Sequence, residues 1–311
     1  MIEVVRYSPE LKEKWDQVIK SSRVDTFLFY RDYMDYHSDR YIDHSFLFYR
    51  KGKLEGVLPG NLNGSTFFSH QGLTYGGLVT SIKITATDTI KIFQLVNNDL
   101  KQAGVNTVIY KPLPLIYHKV PSQEDVYALF RLKAEKIECN LSSTIFRNYK
   151  VLFTESRKSG IRKSMNSGVL IEESENYDEF WPVLHLNLIN KHGKEPVHNI
   201  SEIKLLKSLF PNNIALFVAN YNKEVVAGCI LFIMKNIVHV QYMACNLAGK
   251  QIGALDLLLD EVINNYYANK PVFDFGHSNE QMGSYLNENL IFQKEGFGGR
   301  GVVYDCYKYE I

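Results

Sequence analysis

The sequence predicts an α/β chain of the α+β kind. It is built from two related domains, each laying a mixed, mostly antiparallel sheet against helices. Three observations carry this. One order of elements (β-meander, polar loop, amphipathic helix, strand) occurs twice in 311 residues. At roughly 150 residues per domain, that length suits two copies. Tyrosine is abundant, with 20 residues in a chain that is 13% aromatic. This suits broad sheets and wet clefts, because the ring packs while the hydroxyl finds a partner.

In the first copy, residues 44–49 read as a strand, Lys51-Gly52-Lys53 as a turn and residues 54–59 as a second strand. A loop with His70, Gln71, Tyr75, Gly76 and Gly77 follows. Ile92, Phe93, Val96 and Leu100 recur at three- and four-residue steps, predicting a helix that Gly104 stops. Residues 106–110 form the closing strand. Between the copies lie three helical stretches. The first covers residues 122–138 and starts, after Pro121, with a capping-box-like Ser122-x-x-Asp125. Residues 154–166 make a short basic helix. Tyr177–His192 carries Phe180, Trp181, Leu184, Leu188 and Ile189 on one side. In the second copy, residues 213–219, 224–234 and 239–244 read as strands. Ile252, Leu255, Leu259, Val262, Ile263 and Tyr266 then give the helix, and residues 271–275 the closing strand. A domain change near residues 148–152 divides the chain into residues 1–150 and 151–311.

Composition removes several classes. Thirty-five Lys and Arg against 34 Asp and Glu give a formal charge of +1, which argues against a chain-wide polyanion-binding surface. The longest apolar stretch, residues 225–234, is far short of the roughly 20 residues a membrane helix needs. Residues 1–6 lack the basic segment and apolar core of a signal peptide. Cys139, Cys229, Cys245 and Cys306 form no CxxC pair and read as reduced, buried thiols of a cytoplasmic protein. Asp32, Asp35, His37, Asp39, Asp43 and His44 crowd one region, but their spacing matches no ligand motif and no metal is expected. HEXXH, P-loop, GxGxxG and GxSxG motifs are absent, so a serine or cysteine nucleophile has no support.

Several polar residues stand where chemistry would need them. Asp274 interrupts the apolar run Val272-Phe273-Asp274-Phe275. A buried carboxylate there either accepts the proton of an attacking ammonium or hydrogen-bonds backbone. His277 and Glu280 follow at the strand mouth, as a base or as groups that orient an acceptor. In the first copy, Tyr110-Lys111-Pro112 ends the closing strand as Phe275-Gly276 does in the second. Either the two strand ends face one cleft, with Lys111 and His70 gripping a phosphate or carboxylate of the substrate, or these residues make domain-interface hydrogen bonds. Lys150, Arg157, Lys158, Arg162 and Lys163 form a basic set suited to a diphosphate or a tRNA arm, or simply to a solvated helix face.

The run of residues 239–244, then Gly249-Lys250, the helix, Phe273-Asp274-Phe275-Gly276, and finally Lys294-Glu295-Gly296-Phe297-Gly298-Gly299 resembles the FemAB-like branch of the GNAT acyltransferase superfamily. Arg157-x-x-x-x-Arg162-Lys163 before residues 168–171 is similar to that family's inter-domain helix and strand. The resemblance spans roughly residues 25–305 and implies tandem GNAT-like domains, the first binding the acceptor and the second the donor. It implies an N-acyltransferase acting on a small-molecule amine, such as an amino sugar or cell-envelope precursor that is nucleotide- or lipid-linked. Acyl-CoA is the expected donor and aminoacyl-tRNA the alternative. Lys294 would stabilise the tetrahedral oxyanion. Gln241, Tyr242, Met243, Gly249, Lys250, Gly253 and Ala254 would hold the donor. His70, Gln71, Tyr75, Lys111, Arg162, Lys163 and Glu280 would hold the acceptor.

The chain departs from the pattern in three places. Gln251 replaces the middle glycine of the usual phosphate-binding segment, and Phe292 stands where many GNAT enzymes carry a tyrosine acid. The long heptad insertion of tRNA-using relatives is missing. The first two departures support an alternative, a binding protein that keeps the fold without the chemistry.

Overall fold

A computed structural model describes residues 1–149, 151–193 and 195–311. It divides into two units. One comprises Met1–Leu141, Asn279–Leu286 and Val302–Ile311, the other Ser142–Ser278 and Asn287–Gly301.

The first unit opens with β1 (Ile2–Arg6), α1 (Lys12–Ser21) and α2 (Arg31–Asp35). Short strands follow: β2 (Ile42–Asp43), β3 (Phe46–Arg50), β4 (Lys53–Leu58), β5 (Asn61–Asn63), β6 (Thr66–Phe68) and β7 (Val79–Thr80). Then come α3 (Ala86–Gln102), β8 (Thr107–Tyr110), α4 (Glu124–Arg131) and β9 (Glu135–Phe146). Antiparallel β1, β3, β4 and β7 form one sheet, while β2, β5, β6 and β8 line up in another. Among the described residues of this unit, only β6 and β8 pair in parallel, through the α3 crossover. A full capping box between Thr85 and Asp88 starts α3. Its Ile92, Phe93, Val96 and Leu100 bury against Phe46, Phe48, Phe67 and Val108.

The second unit contributes α5 (Glu155–Asn166), β10 (Leu170–Ser174), α6 (Tyr177–His192), α7 (Ile200–Leu209), β11 (Ile214–Tyr221), β12 (Glu224–Ile233) and β13 (Ile237–Cys245). It continues with α8 (Leu247–Ile252), α9 (Ala254–Glu261), β14 (Val272–His277) and, after β15 (Asn279–Glu280) and β16 (Tyr285–Leu286) of the first unit, α10 (Glu288–Gly296). Its sheet runs β10-β11-β12-β13-β14, and residues 142–146 of β9 pair beyond β14. Side chains alternate between faces. Ala227, Cys229, Leu231, Val238, Val240, Phe273 and Phe275 enter the core beneath Leu257, Leu258 and Val262. Each large apolar side chain so buried contributes about 1.5–3 kcal/mol. Gly228, His239 and Asp274 therefore face the other way, where the Phe180 ring of α6 leaves no room for a Cβ on Gly228.

Three sequence expectations are corrected. Residues 122–138 are not one helix: α4 ends at Arg131, Lys133 turns the chain with φ +57, and β9 begins at Glu135. The capping box at Ser122 does not form, because Asp125 instead accepts the Tyr110 hydroxyl at 2.7 Å. The chain changes unit within β9, and β17 (Arg300–Glu310) returns to the first unit, pairing Tyr307 with Tyr110 and Glu310 with Thr107. Cys139 is exposed, whereas the other three cysteines are buried.

Candidate active site

In the second unit two neighbouring strands part company. β13 and β14 pair in parallel at Ile237↔Val272, Val238↔Phe273 and His239↔Asp274, and nowhere beyond. β13 nevertheless runs on to Cys245 and β14 to His277. Both strands carry an extra residue at the divergence. Ile230 faces Tyr242 while Leu231 faces Val240, leaving Gln241 without a partner on β12. On β14, Asp274 faces Thr144 and His277 faces Ser142, so three steps oppose two. Bulges of this kind bend a strand and re-aim its side chains. Gly276 absorbs the bend with φ +73.

His239 and Asp274 occupy the last paired rung. Asp274 is fully buried and accepts from Ser142 Oγ at 2.5 Å and Thr144 Oγ1 at 2.7 Å through Oδ1. Its Oδ2 lies 2.7 Å from His239 Nδ1. A carboxylate on Nδ1 fixes the tautomer that leaves the Nε2 lone pair outward. Nε2 makes no hydrogen bond among the described residues, and the imidazole lies against Gly276, whose Cβ would stand 3.4 Å from Cε1. Sequence reading singled out Asp274 and passed over His239. Its only signal was an imidazole within a strand, and its partner lies 35 residues away across a register that sequence does not show.

Lys294 projects from α10 and is buried. Its Nζ donates to the carbonyls of Gly276 at 2.9 Å and His277 at 2.8 Å, clamping the β14 bulge. Burial pushes the ammonium down to about 7, with the Asp274 carboxylate opposing the shift. The following glycines pack tightly. A Cβ on Gly298 would lie 2.5 Å from the Val151 carbonyl, and one on Gly299 would lie 3.0 Å from Ser143 Cβ.

No protein-family model matches the chain, and no curated protein matches it. Solved structures do. FemX aligns with a TM-score of 0.70 at 10% identity, covering 99% of this chain and 97% of that one. The C-terminal domain of a putative lysylphosphatidylglycerol synthetase from Agrobacterium fabrum aligns at 0.63 and 11% identity, over 96% and 91%. A tandem GNAT protein from the clavulanic acid biosynthesis pathway aligns at 0.57 and 9%, over 100% and 98%. The fold is the tandem GNAT fold of the FemAB-like kind. The parted β13 and β14 form a wedge in its second GNAT-like unit.

Within that GNAT unit the expected donor residues divide. Gln241 is the bulge residue. Tyr242 is buried, with its hydroxyl 2.7 Å from His198 Nδ1, and Met243 packs on the opposite core. Gly249 is a packing glycine, since a Cβ would come 2.6 Å from the Val226 carbonyl, and its N–H donates to Asn246 Oδ1. Gly253 (φ +75) breaks the expected single helix into α8 and α9 and brings the backbone against Gly160 of α5. Ala254 is fully buried and Lys250 exposed. Arg162 and Lys163 lie on the exposed side of α5, Arg162 reaching Glu155 at 3.7 Å, while Arg157 turns inward to Asp256 at 2.6 Å. Lys150 lies outside the described residues. Phe292 is exposed on α10.

The remaining candidates separate by unit. His277 ends β14 and is exposed, whereas Glu280 belongs to β15 of the first unit. His70, Gln71, Tyr75 and Lys111 gather in the first unit around the loop after β6. Gln71 exchanges two hydrogen bonds with the Asn61 side chain, and Tyr75 bonds Thr26 at 2.8 Å. Among the described residues, no group of three or more His, Cys, Asp or Glu side chains is arranged to hold a metal.

Proposed function

We propose that this chain is an N-acyltransferase in which His239, oriented by Asp274, deprotonates an amine acceptor as it attacks an activated carbonyl. The single observation that carries the reading is the Asp274–His239 pair on the last rung of the wedge, with Nε2 left without a protein partner. The acceptor nitrogen bonds to the carbonyl carbon and gives its proton to Nε2. The tetrahedral oxyanion then collapses, breaking the bond to the thiol or hydroxyl leaving group, which takes up that proton. Lys294 spends two of its three N–H donors on backbone carbonyls and keeps one for an oxyanion. Neither a covalent intermediate nor a metal is required, and juxtaposition of two substrates provides much of the acceleration.

Acyl-CoA is the donor we favour, with aminoacyl-tRNA second. The longest helix among the described residues, α3, has 17 residues, so the heptad insertion of tRNA-using relatives has no counterpart here. The acceptor is an amine of an amino sugar or a cell-envelope precursor, the class to which the FemAB resemblance points. Thermal shift with acetyl-CoA, longer acyl-CoAs and charged tRNA tests the donor. A ligand at 100 times its Kd adds about 2.7 kcal/mol of stability. Thiol release that depends on an added amine is the expected result. A shift with charged tRNA alone moves the donor to the second choice, and no response to any donor removes the proposal.

A further inference from the structure

The parted strands of the second unit have a counterpart in the first. β6 and β8 pair in parallel as far as Phe68↔Ile109, the Ser69 N–H donates to the Ile109 carbonyl at 2.9 Å, and the Lys111 N–H donates to Ser69 Oγ at 2.8 Å. Beyond that point the chain swings away through residues 70–77. We propose that this second divergence is a small-anion site of its own, in which His70 and Lys111 take a carboxylate or phosphate group.

Backbone strain is the first reason. His70 holds φ +74, a conformation that costs a side chain about 1–2 kcal/mol. Glycines stand at 72, 76 and 77 of the same loop, so the turn alone does not call for an imidazole at its strained position. What the strain achieves is to carry that imidazole inward: His70 is 3% exposed, and its Nδ1 has no hydrogen-bond partner among the described residues. A buried polar atom left so costs about 1–3 kcal/mol, and a ligand removes that cost.

Charge is the second. The Lys111 Nζ donates to the Leu73 carbonyl, at the far end of the turn that begins with His70, and two N–H donors remain. Glu138 acts on Lys111 electrostatically and partly offsets the effect of burial, without an ion pair of Lys111 or His70 among the described residues. His37 stands behind His70 with ring centroids 5.2 Å apart. Burial pushes Lys111 down to about 8, and it lowers His70 further with help from His37 and Lys111. Burial thus disfavours the charged forms of both Lys111 and His70, and an anion seated between them would favour the protonated forms again. Tyr41, partly exposed and 5.6 Å from the His70 ring, walls the group from solvent.

The inference rests on the first unit alone and is independent of acyl transfer. Calorimetric titration of the full chain with inorganic phosphate and, separately, with acetate at millimolar concentration tests it. Saturable binding is expected, tighter phosphate assigning a phosphoryl group and tighter acetate a carboxylate. His70→Asn keeps a residue that tolerates positive φ and removes the imidazole. It should raise Kd by about tenfold, the equivalent of one charge-assisted hydrogen bond, and Lys111→Met by at least as much. Melting temperature reports folding, and if Lys111→Met does not fold, His70→Asn decides. Absence of saturable binding by the native chain, or an unchanged Kd in folded His70→Asn, overturns the site.

Discussion

Asp274 and His239 meet across the last rung at which β13 and β14 pair, Oδ2 to Nδ1 at 2.7 Å. The carboxylate is buried among Ser142 and Thr144 donors, so its oxygens are already engaged and its influence passes through the imidazole. In the proposed reaction the group that takes the substrate proton is therefore His239 and not Asp274.

Replacing His239 by Ala is expected to lower kcat by about 10²–10⁴-fold, the usual contribution of a positioned base. Asp274→Asn should lower it as well, because an amide no longer selects the tautomer. Steady-state kinetics on the donor and amine pair identified by thiol release measure both. Unchanged kcat in His239→Ala would place the base elsewhere.

Lys294 makes a pH prediction with a definite sign. Its folded value is held near 7 against 10.5 for a free lysine. Between those values the unfolded chain binds the extra proton, so stability from this group rises with pH across that window, and its burial penalty is fully present below about 7. Urea denaturation of the native chain and Lys294→Met should show their difference moving in favour of the native chain from pH 7 to pH 10. A pH-independent difference would mean that the ammonium is not desolvated.

Gly276→Ala places a side chain at φ +73 with its Cβ 3.4 Å from the His239 ring. A loss of about 1 kcal/mol in chemical denaturation is expected from the backbone alone. Reduced turnover should accompany it, because the bulge also sets the carbonyl that Lys294 holds.

Gly160→Ala tests the helix crossing. Its Cβ would stand 2.0 Å from Asp256 Oδ2, the carboxylate that Arg157 grips. Overpacking of this kind costs about 1–3 kcal/mol. The expected outcome is a lowered melting temperature; an unchanged one would show that α5 and α9 slide apart freely.

The helices α3 and α6 were legible in the sequence because an apolar stripe recurring at three- and four-residue steps fits a helix and does not fit the two-residue period of a strand. Residues 135–146 were not: Ser122-x-x-Asp125 mimicked a cap, and nothing local revealed that Asp125 would be taken by Tyr110. Gly249 and Gly253 show the converse. A glycine spacing read as a phosphate cradle also meets the needs of close packing against Val226 and Gly160, and spacing alone does not separate the two.

What the sequence by itself determined was the repeated order of elements and the identity of the polar residues set into apolar runs, Asp274 and Lys294 among them, because periodicity and composition are local properties. Only the tertiary structure decided that His239 is the partner of Asp274, that Lys294 is buried on a helix against two carbonyls, and that His70 turns inward at positive φ. Each depends on strand register, a bulge or a crossing between segments distant in the chain, and one extra residue in a strand is enough to turn a side chain from one face to the other.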